Sequence, residues 1–358
     1  MRIRSIDFLR GLAVILVICR HIIFEPFFIG IGWVGVDLFF VLSGFLVSNL
    51  LFKEYETTGN VKPIRFLIRR GLKIYPLYYL MISLLFGILV YREPTYYSVY
   101  AANLPNELMF LQNYRYDKVL IGHTWSIAVE EHFYLALTIL LFLFAQFKLI
   151  KNKVFFNILS AAIFLLCLNM RYNIVHVKGA EMSFGDYLIP THLRMDTLWV
   201  GVFLAYHYNF SKEKFIQIFR KGGWLGLGLI APLVASNYGL EKPFLATLGL
   251  SIIALSFGGT LAALIAHEDS EALLKRLFGT KFVDIIAKIG TFSYAIYLFH
   301  MMIIWYVEPF KSSGPHNTWA SRANFLIVFG VTCLVGLLAT KYIEQPILRW
   351  RDRVFPSK

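Results

Sequence analysis

The chain reads as an all-α integral membrane protein, a polytopic bundle of about ten transmembrane helices with its N- and C-termini cytoplasmic. Three observations carry that reading. Hydrophobic residues fill 58% of the 358 positions and charged residues only 16%, whereas a soluble domain carries about 25% charged residues. Mean hydropathy is +0.61, and apolar runs near the twenty residues that cross a bilayer recur along the whole length. The cations are also shared unequally between alternate loops, as a membrane topology requires.

The runs fall at 7–25, 33–52, 73–91, 125–147, 154–171, 193–209, 223–238, 244–266, 287–307 and 324–343. The first has the basic start and apolar stretch of a signal peptide. Arg20 and His21 interrupt it and no small-residue cleavage site follows, so it reads as a retained span. The second holds Ser43-Gly44-Phe45, a small break that permits close helix approach or a narrow passage. The third follows a basic stretch, FLIRRGLK. The fourth opens on HTWSIAVEEHFYL and the sixth on RMDTLWVGVFLAY. The seventh, GWLGLGLIAPLVAS, is short and glycine-rich. The longest outer loop, 92–124, is semi-apolar around Asn103, Pro105, Asn113, Tyr114 and Tyr116. Residues 1–350 read as one membrane domain and 351–358 as a short basic cytoplasmic tail. Cys19, Cys167 and Cys333 all lie in apolar runs without a CxxC pair, which argues against a disulfide frame or a zinc site.

With the N-terminus inside, 25 cations fall on cytoplasmic segments and 8 on outer ones, with Arg20 and Arg194 within spans. The formal charge of +13 is therefore mostly topology, and nucleic acid is not expected as a partner.

Ionisable groups then collect at one depth of the outer half: His21, Asp37, the pair Glu130 and Glu131, Arg194 with Asp196, and His300. Such residues are costly in hydrocarbon and mark functional sites by default, although transporters build similar layers. Arg10 lies eleven positions before His21, about three helical turns, so both share a face roughly 16 Å apart. His123, Ser126 and Glu130 share a face by their spacing of three and four. The plainer alternative is that His123 and Ser126 cap the helix while Glu130 pairs with an arginine. Ser293, Tyr297 and His300 also share a face, where interhelical hydrogen bonding competes with a catalytic role. On the cytoplasmic side Arg69, Arg70 and Lys73 suit phosphate recognition, or a plain positive-inside anchor.

Taken together, SIDFLRGLAVILVICRH, GWVGVDLFFVLSGFL, FLIRRGLKIYPLYY, HTWSIAVEEHFYL, RMDTLWVGVFLAY, FSYAIYLFH and YIEQP resemble, in order, the blocks of the membrane acyltransferase-3 family. The first contains its arginine, ten residues, histidine motif. The resemblance covers about 5–350. His132 departs from it, standing where glutamine is common. What the resemblance implies is transfer of an acyl group, commonly acetyl, from cytoplasmic acyl-CoA to a hydroxyl of an extracytoplasmic glycan or glycolipid. That places the chain in the cell's inner (plasma) membrane as a multi-pass protein.

On this reading Arg10, Arg69, Arg70 and Lys73 hold the CoA phosphates. His21 acts as general base or becomes acylated, and Asp37 or Glu130 orients it, with Glu130 the first choice. His123, Trp125, Ser126, Arg194, Asp196 and His300 are candidates for binding the substrate or polarising the thioester. No metal is expected. A continuous cavity should run from Arg10 and Arg69 to His21. The rival reading is a transporter or flippase for a glycan or lipid-linked precursor, which has no need of a CoA site.

Overall fold

The computed structural model describes residues 3–22, 25–115, 122–220, 222–307 and 319–356, and every regular element among them is helical. Ile23 and Phe24 of the first expected span, Tyr116, and the cations Arg2, Lys118, Lys221, Lys311 and Lys358 lie outside the described residues. The principal helices are α1 (Arg4–His21), α2 (Val34–Thr58), α3 (Pro63–Arg92), α4 (Trp125–Gln146), α5 (Lys153–Lys178), α6 (Met195–Phe210), α7 (Lys212–Phe219), α8 (Ile230–Asn237), α9 (Leu250–Ala266), α10 (Thr280–Thr291), α11 (Ser293–Val307), α12 (Trp319–Ala339) and α13 (Gln345–Val354). Their ends follow local chemistry. Gly59 terminates α2 with φ 71°, a left-handed conformation cheap only for glycine. Pro63 opens α3, where its missing N–H costs nothing. The Asn152 side chain accepts from Phe155 N at 3.1 Å and caps α5.

Among the described residues six helices are long and apolar enough to cross a membrane, and two bent pairs raise the number to eight if each is one span. The bent pairs are Lys212–Phe219 with Gly223–Asn237, at 71°, and Thr280–Thr291 with Ser293–Tyr306, at 77°. These are the expected seventh and ninth runs. The other two of the expected ten fall short for different reasons. Helix α1 carries Arg4, Asp7, Arg10 and Arg20 within 18 residues. Helix α6 has 16 residues, about 24 Å of rise against a hydrocarbon core of about 30 Å.

Helices α2 and α9 are the most enclosed, whereas α5 turns Ile158, Leu165, Leu166 and Val177 outward, as a lipid-facing helix does. In apolar solvent, close packing takes over from the hydrophobic effect, and small residues allow it. A Cβ at Gly44 would lie 2.0 Å from the Leu198 carbonyl oxygen, and one at Gly201 2.2 Å from that of Val41, so α2 and α6 touch backbone to backbone. The Ser43-Gly44 break thus serves close helix approach. Gly11 and Gly290 do the same for α1 and α10, with the Ile286 and Asp7 carbonyls 2.1 and 1.8 Å from the added atom. The start of α1 is further held by Arg4, which pairs with Asp284 at 2.7 Å and Glu271 at 3.0 Å. These contacts fix the helix that carries Arg10 and His21. Residues 351–354, expected as a tail, continue α13.

Candidate active site

The ionisable residues expected in one layer fall into three clusters instead. The first is cationic. Arg70 (α3) donates from Nη2 to the Tyr134 hydroxyl at 2.5 Å and lies over its ring, 4.2 Å from the centroid. Tyr134 donates to Glu130 at 2.9 Å and also bonds Ser43; Arg70 and Glu130 stand 3.9 Å apart. Beside this network lies a cavity of about 100 Å³ lined by Arg10, Ser43, Arg70, Lys73, Glu130 and Tyr297, among others. Three cations face it against one carboxylate, so it favours an anion.

The second cluster is histidine-rich. His21 ends α1, His123 sits on the turn Gly122–Thr124 before α4, and His300 lies in α11. His300 Nε2 is 3.2 Å from His21 Nδ1. The His300 ring lies 5.0 Å from that of His21 and 4.7 Å from that of His123. A second cavity, about 540 Å³, is lined by Arg20, His21, Asp37, His123, Trp125 and Tyr297, among others. That is an ordinary size for a small-molecule site. Among the described residues no group of three His, Cys, Asp or Glu has a geometry that could hold a metal ion.

Val36 and Tyr297 line both cavities. The Tyr297 hydroxyl bonds Ser126 Oγ at 2.5 Å and donates to the His123 carbonyl at 2.8 Å. The expected continuous passage is thus two chambers with a common wall, and Tyr297 is the hydroxyl at that wall.

The third cluster is buried and ionic. Arg171 makes a two-armed pair with Asp196, at 2.9 and 2.6 Å, and Arg194 pairs with Asp37. All four side chains are at most 1% exposed. Charges removed from water in this way must neutralise one another.

These placements revise several expectations. Glu130 does not line the chamber of His21; it belongs to the cationic one, held there by Arg70 and Tyr134. The partner of His21 is His300. Asp37 borders the histidine chamber, but its carboxylate is engaged by Arg194. Arg194 and Asp196 are engaged in the ionic cluster and line neither chamber. Arg69 does not line the cationic cavity: it pairs with Asp352 at 2.9 Å and donates to the Phe355 carbonyl, clasping α13. His123 and Ser126 do not cap α4, which has no side-chain cap bond; both border chambers, as does Trp125.

Two participants escaped the sequence reading. Arg171 counted as an outer-loop cation, but the apolar pattern LNMRYNIV continues past it and α5 runs to Lys178. Tyr134 lies four residues after Glu130, on the same helix face, but a tyrosine in an apolar run reads as packing.

Residues 3–341 match the acyltransferase-domain family, acyltransferase-3, and the chain belongs to it. It is similar to a peptidoglycan O-acetyltransferase of Listeria monocytogenes, 29% identical over 96% of this chain and 55% of that protein. It is also similar to an O-acetyltransferase of Staphylococcus aureus strain NCTC 8325, 25% identical over 98% of this chain and 58% of the relative. A putative O-acetyltransferase of Staphylococcus aureus strain COL is 24% identical, over 99% and 60% respectively. The chain therefore spans a little over half the length of the curated relatives it matches. No solved structure matches.

Proposed function

We propose that this multi-pass membrane acyltransferase moves an acyl group, in the first instance acetyl, from acyl-CoA on the cytoplasmic face to a hydroxyl of an extracytoplasmic glycan or glycolipid. The observation that carries the reading is the pair of chambers with one wall: an anion-favouring one at Arg10, Arg70 and Lys73, and a larger one at His21, meeting at Tyr297. The names of the relatives, O-acetyltransferases with peptidoglycan as the acceptor in one case, support the acetyl group and a glycan acceptor. The same reading puts both termini in the cytoplasm and lets α1 and α6 complete ten spans, in accord with a division of cations that becomes 25 to 7 once Arg171 is placed within α5.

In this scheme Arg70 and Lys73 hold donor phosphates, and the narrow arm of the donor extends toward Tyr297. A base on His21 takes the acceptor hydroxyl proton while the oxygen attacks the thioester carbonyl. The C–S bond then breaks, and the departing thiolate recovers the proton. Tyr297 and Ser126 stand at the wall, and the hydroxyl protons they direct to the His123 carbonyl and to one another turn to the oxyanion as it forms. Mass spectrometry of surface glycans from cells with and without the gene tests this. Acyl units present only with the gene support it; identical glycans in both, with the protein shown to be inserted, refute it.

A further inference from the structure

We infer that His300 is the positioning residue that presents the catalytic nitrogen of His21, with Nε2 of His21 as the base and Nδ1 as the held donor. The inference rests on the proposed role of His21 and adds which nitrogen reacts and what holds it.

A backbone carbonyl only accepts, so a ring nitrogen bonded to one carries the proton. His300 Nδ1 bonds the Tyr297 carbonyl, so neutral His300 carries its proton there and its Nε2 is a lone pair. His21 Nδ1 lies 2.9 Å from the Val17 carbonyl and 3.2 Å from that lone pair. Both partners accept, so Nδ1 of His21 is protonated and shared between them. Nε2 of His21 is left with its lone pair, on the ring's opposite side, in a residue that lines the 540 Å³ chamber. The reversed tautomer would set lone pairs against both acceptors. His123 obeys the same logic: its Nε2 donates to the Leu298 carbonyl at 3.1 Å, and its ring buttresses His300 edge-on.

The consequence appears during the reaction. When His21 Nε2 takes the acceptor proton, the ring becomes an imidazolium whose Nδ1–H already points at two acceptors. His300 thus plays, without a negative charge, the part a carboxylate plays behind the histidine of a hydrolase triad. It is a positioning residue because it touches His21 and not the reacting atoms.

The test uses the full-length protein in detergent or liposomes. Histidine-selective nitrogen-15 spectra, with the His21 signal assigned by its loss in His21→Gln, should show the Nδ1-protonated tautomer; an Nε2-protonated His21 overturns the inference whatever the activity. His300→Leu should lower kcat at least tenfold with KM for acetyl-CoA unchanged. His300→Gln, whose amide oxygen can occupy the place of the lone pair, should restore most of the loss. Equal inactivity of folded Leu and Gln variants, or an effect confined to KM, overturns it. An active, folded His21→Ala variant refutes the underlying reading instead, so the two failures are distinguishable.

Discussion

The ionic cluster offers a quantitative test of what is scaffold and what is site. Asp196 accepts both arms of Arg171, a bond from Ser251 at 3.1 Å and its neighbour's amide, Thr197 N, at 2.9 Å. Asp196→Leu removes one member of a pair that is fully out of water and leaves Arg171 with the Leu193 carbonyl and Ser251 alone. Breaking such a pair costs ~3–5 kcal/mol, which lowers the melting temperature of a domain this large on the order of 5–10 °C. The double variant Arg171→Met with Asp196→Leu removes both charges and should recover most of that stability, because two apolar side chains of similar size pack where a desolvated pair stood. The assay is thermal unfolding in detergent, followed by a thiol-reactive dye. Cys19 and Cys167 are buried, so the dye reports opening of the bundle. The double variant should also retain acyl transfer. A folded Asp196→Leu protein as stable as the parent but inactive would show that Asp196 belongs to the chemistry and that the scaffold assignment is wrong.

Other predictions follow from the same geometry. Arg70→Ala should weaken acetyl-CoA binding by ~1.5–3 kcal/mol, read by titration calorimetry, whereas Arg69→Ala should leave that affinity unchanged and instead speed proteolysis at α13. Equal losses in both variants would return Arg69 to the donor site. Gly44→Val should sharply reduce folded yield, because its Cβ would meet the Leu198 carbonyl at 2.0 Å; normal size-exclusion behaviour would contradict the contact between α2 and α6. Tyr297→Phe should fall in kcat with folding intact, and an unchanged rate would remove the hydroxyl at the shared wall from the mechanism.

Much of the architecture was legible because bilayer-length apolar runs announce themselves. What the sequence could not supply was partnership. Asp37, Glu130 and His300 are each an ionisable residue in an apolar span, and nothing in their spacing says which faces His21. Packing decides it: the glycine contacts of α1 with α10, which continues bent into α11, bring His300 to His21, while α4 turns Glu130 toward Arg70. Asp37 is the second choice, after Glu130, to orient His21; in the fold its carboxylate is taken by Arg194. Span number was hard for a related reason. Polar residues in α1 and the 16-residue length of α6 weaken the hydropathy signal of helices enclosed by others.

The most direct test of the account is acyl transfer across a sealed membrane. The purified protein is reconstituted in liposomes, labelled acetyl-CoA is supplied only on the face bearing Arg70 and Lys73, and a hydroxyl-bearing glycan acceptor only on the other. The account predicts labelled acceptor with the parent protein and none above background with folded His21→Ala. Label on the acceptor with His21→Ala, or acceptor translocated without label by the parent, would contradict it.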